Sequence, residues 1–125
     1  MSALIDSSVV IDVLRGVEQA RRVVAEARLA GKLHGSVVVK AEVLAGMRPQ
    51  ELKPTQDILD SLEWHPVTEQ MAERAGELGR TWRPSHGSIE LADLIIAATA
   101  QLLGLPLLTR NIKHFPMFPD LQAPY

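Results

Sequence analysis

The sequence predicts an α/β domain in three layers, a short and mostly parallel sheet between helices. Three observations lead there. Short apolar runs, Ala3-Leu4-Ile5, the piece around Leu33-His34-Gly35, and Leu105 to Leu108, alternate with longer segments of helical periodicity. The connections between those runs are long enough for crossover helices, which parallel pairing requires. The whole chain is 125 residues, enough for one domain (1–125) around one core.

Each element has its own warrant. Ala3-Leu4-Ile5 reads as a buried strand ending at Asp6, with Ser7 and Ser8 available as N-caps for the next helix. From Val17 to Ala30, Val17, Ala20, Val23, Val24 and Ala27 recur at helical spacing, and Gly31 supplies a stop. Ser36 is placed to cap a helix from Val37 to about Gly46, with Val38, Ala41 and Ala45 as its inward stripe. The two prolines in Met47–Pro54 mark a loop, and Pro54 can begin another helix carrying Ile58, Leu59 and Leu62. Trp64 to Val67 is weakly strand-like, and Thr68 caps a helix striped by Met71, Ala75, Leu78 and Trp82. Pro84 to Ser88 is a loop. Ile89 to Leu103 is almost wholly apolar and ends at Gly104, the pattern of a helix buried on most sides. The tail from Phe115 to Tyr125 holds three prolines and can add only a short edge strand.

Composition narrows the function. Cysteine is absent, which excludes disulfides, thiolate zinc sites and cysteine nucleophiles and fits a cytoplasmic protein. No apolar run reaches membrane-spanning length, and MSALIDSSVV lacks the layout of a secretory signal. A net charge of −2 argues against coating nucleic acid through bulk positive charge. Contact with nucleic acid must then come from a local basic patch or through a metal.

The chemistry lies with the acids. In a parallel sheet, ligands bind beyond the carboxyl ends of the strands. Asp6 and Asn111 both fall on that edge. Asp93 sits among residues that demand burial, and desolvating an unpaired carboxylate costs several kcal/mol or more. The helix dipole offsets only about 0.3–1 kcal/mol of this. Glu42 lies at the margin of its helix's inward face, where it could also pair with Lys40 or Arg48. Glu90 reads as solvated surface. If Asp6, Glu42 and Asp93 converge, each pair repels by roughly 4 kcal/mol at about 4 Å and an effective dielectric of about 20. A hard divalent cation relieves that repulsion, and oxygen-only ligands select Mg2+ or Mn2+ over zinc. His34, His65, His86 and His114 are scattered and form no helical HxxxH pair; only His114 stands where it could approach the acids.

Several blocks of the chain resemble the PIN-domain family, and within it the VapC-type toxins of bacterial toxin–antitoxin pairs. They are Leu4-Ile5-Asp6-Ser7-Ser8-Val9, Ala41-Glu42-Val43-Leu44-Ala45-Gly46, Ala92-Asp93-Leu94-Ile95-Ile96-Ala97-Ala98-Thr99-Ala100, and Leu108-Thr109-Arg110-Asn111 with His114-Phe115 following. Their order and spacing carry the likeness along essentially the whole chain. The resemblance implies a PIN-like fold and an Mg2+- or Mn2+-dependent endoribonuclease with Asp6, Glu42 and Asp93 as the acidic, metal-holding cluster. It puts Ser8 in an assisting role and Asn111 where many relatives carry a fourth acid. The implied reaction is metal-assisted phosphodiester hydrolysis leaving a 5′-phosphate and a 3′-hydroxyl. RNA grip would come from Arg110 first, then Lys113, Arg48, Lys40 and Arg15. The implied partners are an RNA substrate, a cognate VapB-type antitoxin and a second copy of the chain.

Competing readings are weaker. Haloacid dehalogenase-type enzymes need a second acid two residues after the first, and Ser8 stands there. Asp57 and Asp60 lie on an amphipathic helix rather than after a central strand, which removes a receiver domain. No Gly-rich phosphate loop or GxSxG elbow occurs. A non-catalytic PIN-fold module that binds RNA or protein is the alternative from another class.

Overall fold

A computed structural model describes the whole chain, Met1–Tyr125. Four strands form one sheet in the order β3-β2-β1-β4. They are β1 (Ala3–Ile5), β2 (Leu33–Ser36), β3 (Glu63–His65) and β4 (Leu107–Leu108). Every pairing is parallel, with Leu4 opposite both His34 and Leu107, and Gly35 opposite Trp64. Six helices connect them: α1 (Ser7–Leu14), α2 (Glu18–Ala30), α3 (Val37–Ala45), α4 (Leu52–Asp60), α5 (Glu69–Trp82) and α6 (Leu91–Leu103). Helix α1 packs against α2 and α3, α5 lies along α6, and α6 rests on β2 and α3.

Burial explains why the strands sit where they do. All three residues of β1 are buried, and with Val9, Val10, Val39, Val43, Ile96, Ala97 and Phe115 they form the centre of the core. The central strand therefore carries Asp6 at its end, where β1 gives way to α1. Local signals act as the sequence predicts at several joints. The Ser36 hydroxyl accepts from the Val38 amide, and the Thr68 hydroxyl from the Met71 amide. Gly104 closes α6 in the left-handed region at φ 65°. Gly35 lies under the Trp64 ring so closely that a Cβ there would stand 2.6 Å from it. Only glycine fits.

Four local expectations are corrected. The tail forms no strand: Pro116, Pro119 and Pro124 withhold donors, and Phe118 and Leu121 bond back into turns at Phe115 and Phe118. Helix α4 begins at Leu52, so Pro54 occupies its first turn, where an amide proton is not needed. The inward face of α3 is Val39 and Val43; Ala41 and Ala45 are exposed. Helix α1 starts at Ser7 itself, which puts both serines inside the helix and Asp6 at the N-cap position.

Candidate active site

Asp6 ends β1 with an extended backbone and is 2% exposed. Its carboxylate does not cap α1. Instead the Ser8 hydroxyl donates to Oδ2 at 3.0 Å and the Thr109 hydroxyl donates to the same oxygen at 2.7 Å. Thr109, fully buried after β4, also accepts from the Asn111 amide at 3.0 Å. Ser8 accepts from the Arg110 amide at 3.1 Å. Two hydroxyls thus bind the first acid to the segment after β4, about a hundred residues away in sequence. The part Thr109 plays was not legible in the sequence, because a threonine closing a strand announces no particular partner.

Asp93 occupies the first turn of α6. Its Oδ2 accepts from the Glu90 amide at 2.9 Å and lies 3.2 Å from His114 Nδ1. Burial raises its pKa above the ordinary carboxylate range; the Glu90 amide and His114 pull it down, while Asp6 and Glu90 push it up. Glu42, on α3, has Oε1 buried with no hydrogen-bond partner. Its pKa is raised by burial first and then by Asp6, with Asp93 and Glu90 adding to the shift and the Ser7 hydroxyl opposing it. Three acids from three separate helix starts and faces therefore feel one another's charge. No three acidic or histidine side chains stand close enough to close a full ligand cage as they are arranged. Glu42 makes no pair with Lys40 or Arg48; Lys40 instead sits 5.3 Å from the centre of the Trp64 ring. Glu90 is exposed, as expected.

The candidate RNA contacts divide into two sets. Arg110 and Lys113 are exposed and, with Asn111, Ile112 and His114, line a hollow of about 290 Å3. That hollow adjoins the acids, since His114 touches Asp93 and the Arg110 amide touches Ser8. Arg48 is exposed on the turn before α4, and Arg15 is paired with Glu51. Neither they nor Lys40 line the hollow.

Comparison with known proteins identifies the family and the fold. A PIN-domain family model covers residues 3–117. The chain belongs to the PIN-domain family. This PIN domain is 43% identical over 123 residues to Ribonuclease VapC19 of Mycobacterium tuberculosis, spanning 98% of each chain. Ribonuclease VapC10 of the same organism is 46% identical over 122 residues, 98% of this chain and 92% of that one. A solved toxin–antitoxin complex from Klebsiella pneumoniae contains a chain with the same fold, at a TM-score of 0.80 and 30% identity over 98% of both chains. The single PIN-like α/β domain read from the sequence is thereby established.

Proposed function

We propose that this PIN-domain protein is the toxin of a VapBC-type pair, an endoribonuclease that depends on Mg2+ or Mn2+. The relatives' names and the toxin–antitoxin complex support the class of activity. One structural observation carries the metal: Glu42 Oε1, buried and unpartnered beside Asp6 and Asp93. A buried polar atom without a partner costs roughly 1–3 kcal/mol, more when charged. The donor set is oxygen-rich, no lysine or arginine offsets it, and a hard cation fits that chemistry.

Asp6, Glu42 and Asp93 would hold the ion, which when bound activates water and stabilises charge on the phosphate and the leaving oxygen. The chain's own groups set the rest. Ser8 and Thr109 fix the Asp6 carboxylate by donating to one oxygen, which leaves its orientation determined before substrate arrives. His114 steadies ionised Asp93. Arg110 and Lys113 neutralise backbone phosphates along the hollow, and the exposed Asn111 side chain offers a neutral hydrogen-bonding group at its rim.

The antitoxin reading rests on a second surface. Between α1, α2 and α4 lies an open groove of about 370 Å3 with Val13, Val24 and Ile58 in its wall and Arg21 and Arg28 at its border. An amphipathic antitoxin segment would cover it, while an inserted arginine neutralises the acids. A homodimer is part of the same proposal, and light scattering at micromolar concentration tests it. No helix is long and apolar enough to cross a membrane; the proposed place of action is the cytoplasm, where RNA is found.

The deciding experiment incubates the protein with total bacterial RNA plus Mn2+, Mg2+ or chelator, beside Asp93→Asn. Metal-dependent cleavage reduced at least about 100-fold in the variant is expected. Equal cleavage by the variant would remove Asp93 from the mechanism. RNA binding without cleavage by either would favour the non-catalytic module.

A further inference from the structure

The Arg110 side chain is held by more than its own strand end. Ser8 and Asp12 stand four residues apart on α1 and so share a face. Arg110 lies along that face: its amide donates to Ser8 Oγ, and its Nη1 is 3.6 Å from Asp12 Oδ2. The Tyr125 ring covers the guanidinium, 4.6 Å from ring centre to Cζ. The Tyr125 hydroxyl donates to the same Asp12 oxygen at 2.6 Å. Tail, loop and helix thus meet on one cation at the mouth of the hollow.

We infer that Tyr125 is a positioning residue for nucleic-acid binding, holding the Arg110 guanidinium ready for an RNA phosphate. The inference rests on the nuclease reading above, and it adds a residue from the far end of the chain to that site. The physical reason is entropic and electrostatic together. An arginine free in water loses most of its rotamer freedom when it grips a phosphate; one already stacked on a ring has lost it beforehand. Stacking leaves the edge of the guanidinium open, and the side chain remains 45% exposed. The ion pair with Asp12 is loose, and the Tyr125 hydroxyl occupies part of that carboxylate's accepting capacity. A phosphate can therefore compete for Arg110 without first breaking a tight bridge. Burial and Asp12 raise the phenol to about 12, so the hydroxyl keeps its proton throughout the neutral range.

The test is a double-mutant cycle on binding. All variants carry Asp93→Asn to suppress cleavage, and fluorescein-labelled total bacterial tRNA is the probe, titrated between about 50 and 200 mM KCl. Arg110→Ala is expected to weaken binding roughly 5–10-fold and to lower the salt slope by about one. Tyr125→Ala should reproduce at least half of that loss on a logarithmic scale, and Tyr125→Phe, which keeps the ring, should fall between it and the parent. The decisive readout is the pair: Arg110→Ala with Tyr125→Ala should bind no more weakly than Arg110→Ala alone. Losses that add in full, or a Tyr125→Ala variant with parental affinity and slope, would overturn the inference. Should Tyr125→Ala melt early, Tyr125→Leu, which fills much of the space without a ring, takes its place in the cycle with Arg110→Ala. A nuclease without activity on total RNA would defeat the proposed function, whereas additive binding losses in an active nuclease defeat only the role of Tyr125.

Discussion

Two parts of the same sheet gather titratable groups and treat them in opposite ways. Along β2 and β3, Glu63 is bonded to Lys32 at 2.9 Å and lies 3.5 Å from His34, while His34 and His65 stack with nitrogens 2.8 Å apart. At the ends of β1 and β4, Asp6, Glu42 and Asp93 meet hydroxyls, amides and one imidazole, and no lysine or arginine. The bond to Lys32 holds Glu63 below the ordinary range; burial and like charge push Glu42 above it. The same side chain type moves in opposite directions because Glu42 is buried among like charges while Glu63 is half exposed and bonded to a lysine. The proposed metal rests on that contrast, since the acidic end is the one without a lysine or arginine side chain.

The largest effect expected is on chemistry. Asp6→Asn leaves the Ser8 and Thr109 hydroxyls an oxygen to bond but removes the charge, and RNA cleavage should fall at least about 100-fold in a metal-supplemented assay. The next is on packing. Gly35→Ala places a methyl group against Trp64, whose indole donates to the Leu59 carbonyl, and should cost about 1–3 kcal/mol by urea denaturation. Such a loss would show that the pairing of β2 with β3 depends on the close approach of Gly35 to Trp64.

Acidity separates the two regions by sign. Glu42 and Asp93 have folded pKa values above their ordinary 4.5 and 3.8. Their ionised forms destabilise the metal-free fold at neutral pH, and that cost is relieved as pH falls through the raised folded values. His34 works the other way. Its folded pKa lies below the ordinary 6.5, so the unfolded chain takes up a proton that the fold resists, and stability is lost as pH falls past that value. Melting curves of Glu42→Gln and His34→Gln from pH 7.5 down to the ordinary Glu value of 4.5 should therefore diverge. The first variant melts above the parent at pH 7.5 and gains less on acidification; the second loses less. The smallest effect belongs to the exposed bridge: Glu63→Gln should leave the melting temperature within about 2 °C.

Much of this is legible in the sequence. Asp6 at a strand end, Ser36 and Thr68 as caps and Gly104 as a stop follow from local chemistry that a few residues carry between them. The burial of Asp93 follows from its apolar neighbours. What stayed hidden depends on pairs far apart in sequence. Thr109 donating to Asp6 and Tyr125 covering Arg110 are made by the fold, and nothing near either residue signals its partner. The buried face of α3 lies one position from the expected stripe because Val37, Val38 and Val39 are adjacent and equally apolar, so composition cannot choose among three rotations. The tail forms turns instead of even a short edge strand, because Phe118 and Leu121 bond back to the residues three before them.

Calorimetric titration of Mn2+ at pH 7.5 into the parent, Glu42→Gln and Glu63→Gln addresses the acidic end most directly. Saturable binding by the parent and Glu63→Gln, weakened at least about tenfold in Glu42→Gln, is the predicted result. Indistinguishable isotherms for the parent and Glu42→Gln would contradict it, because the buried, unpartnered oxygen would then have no part in holding a cation.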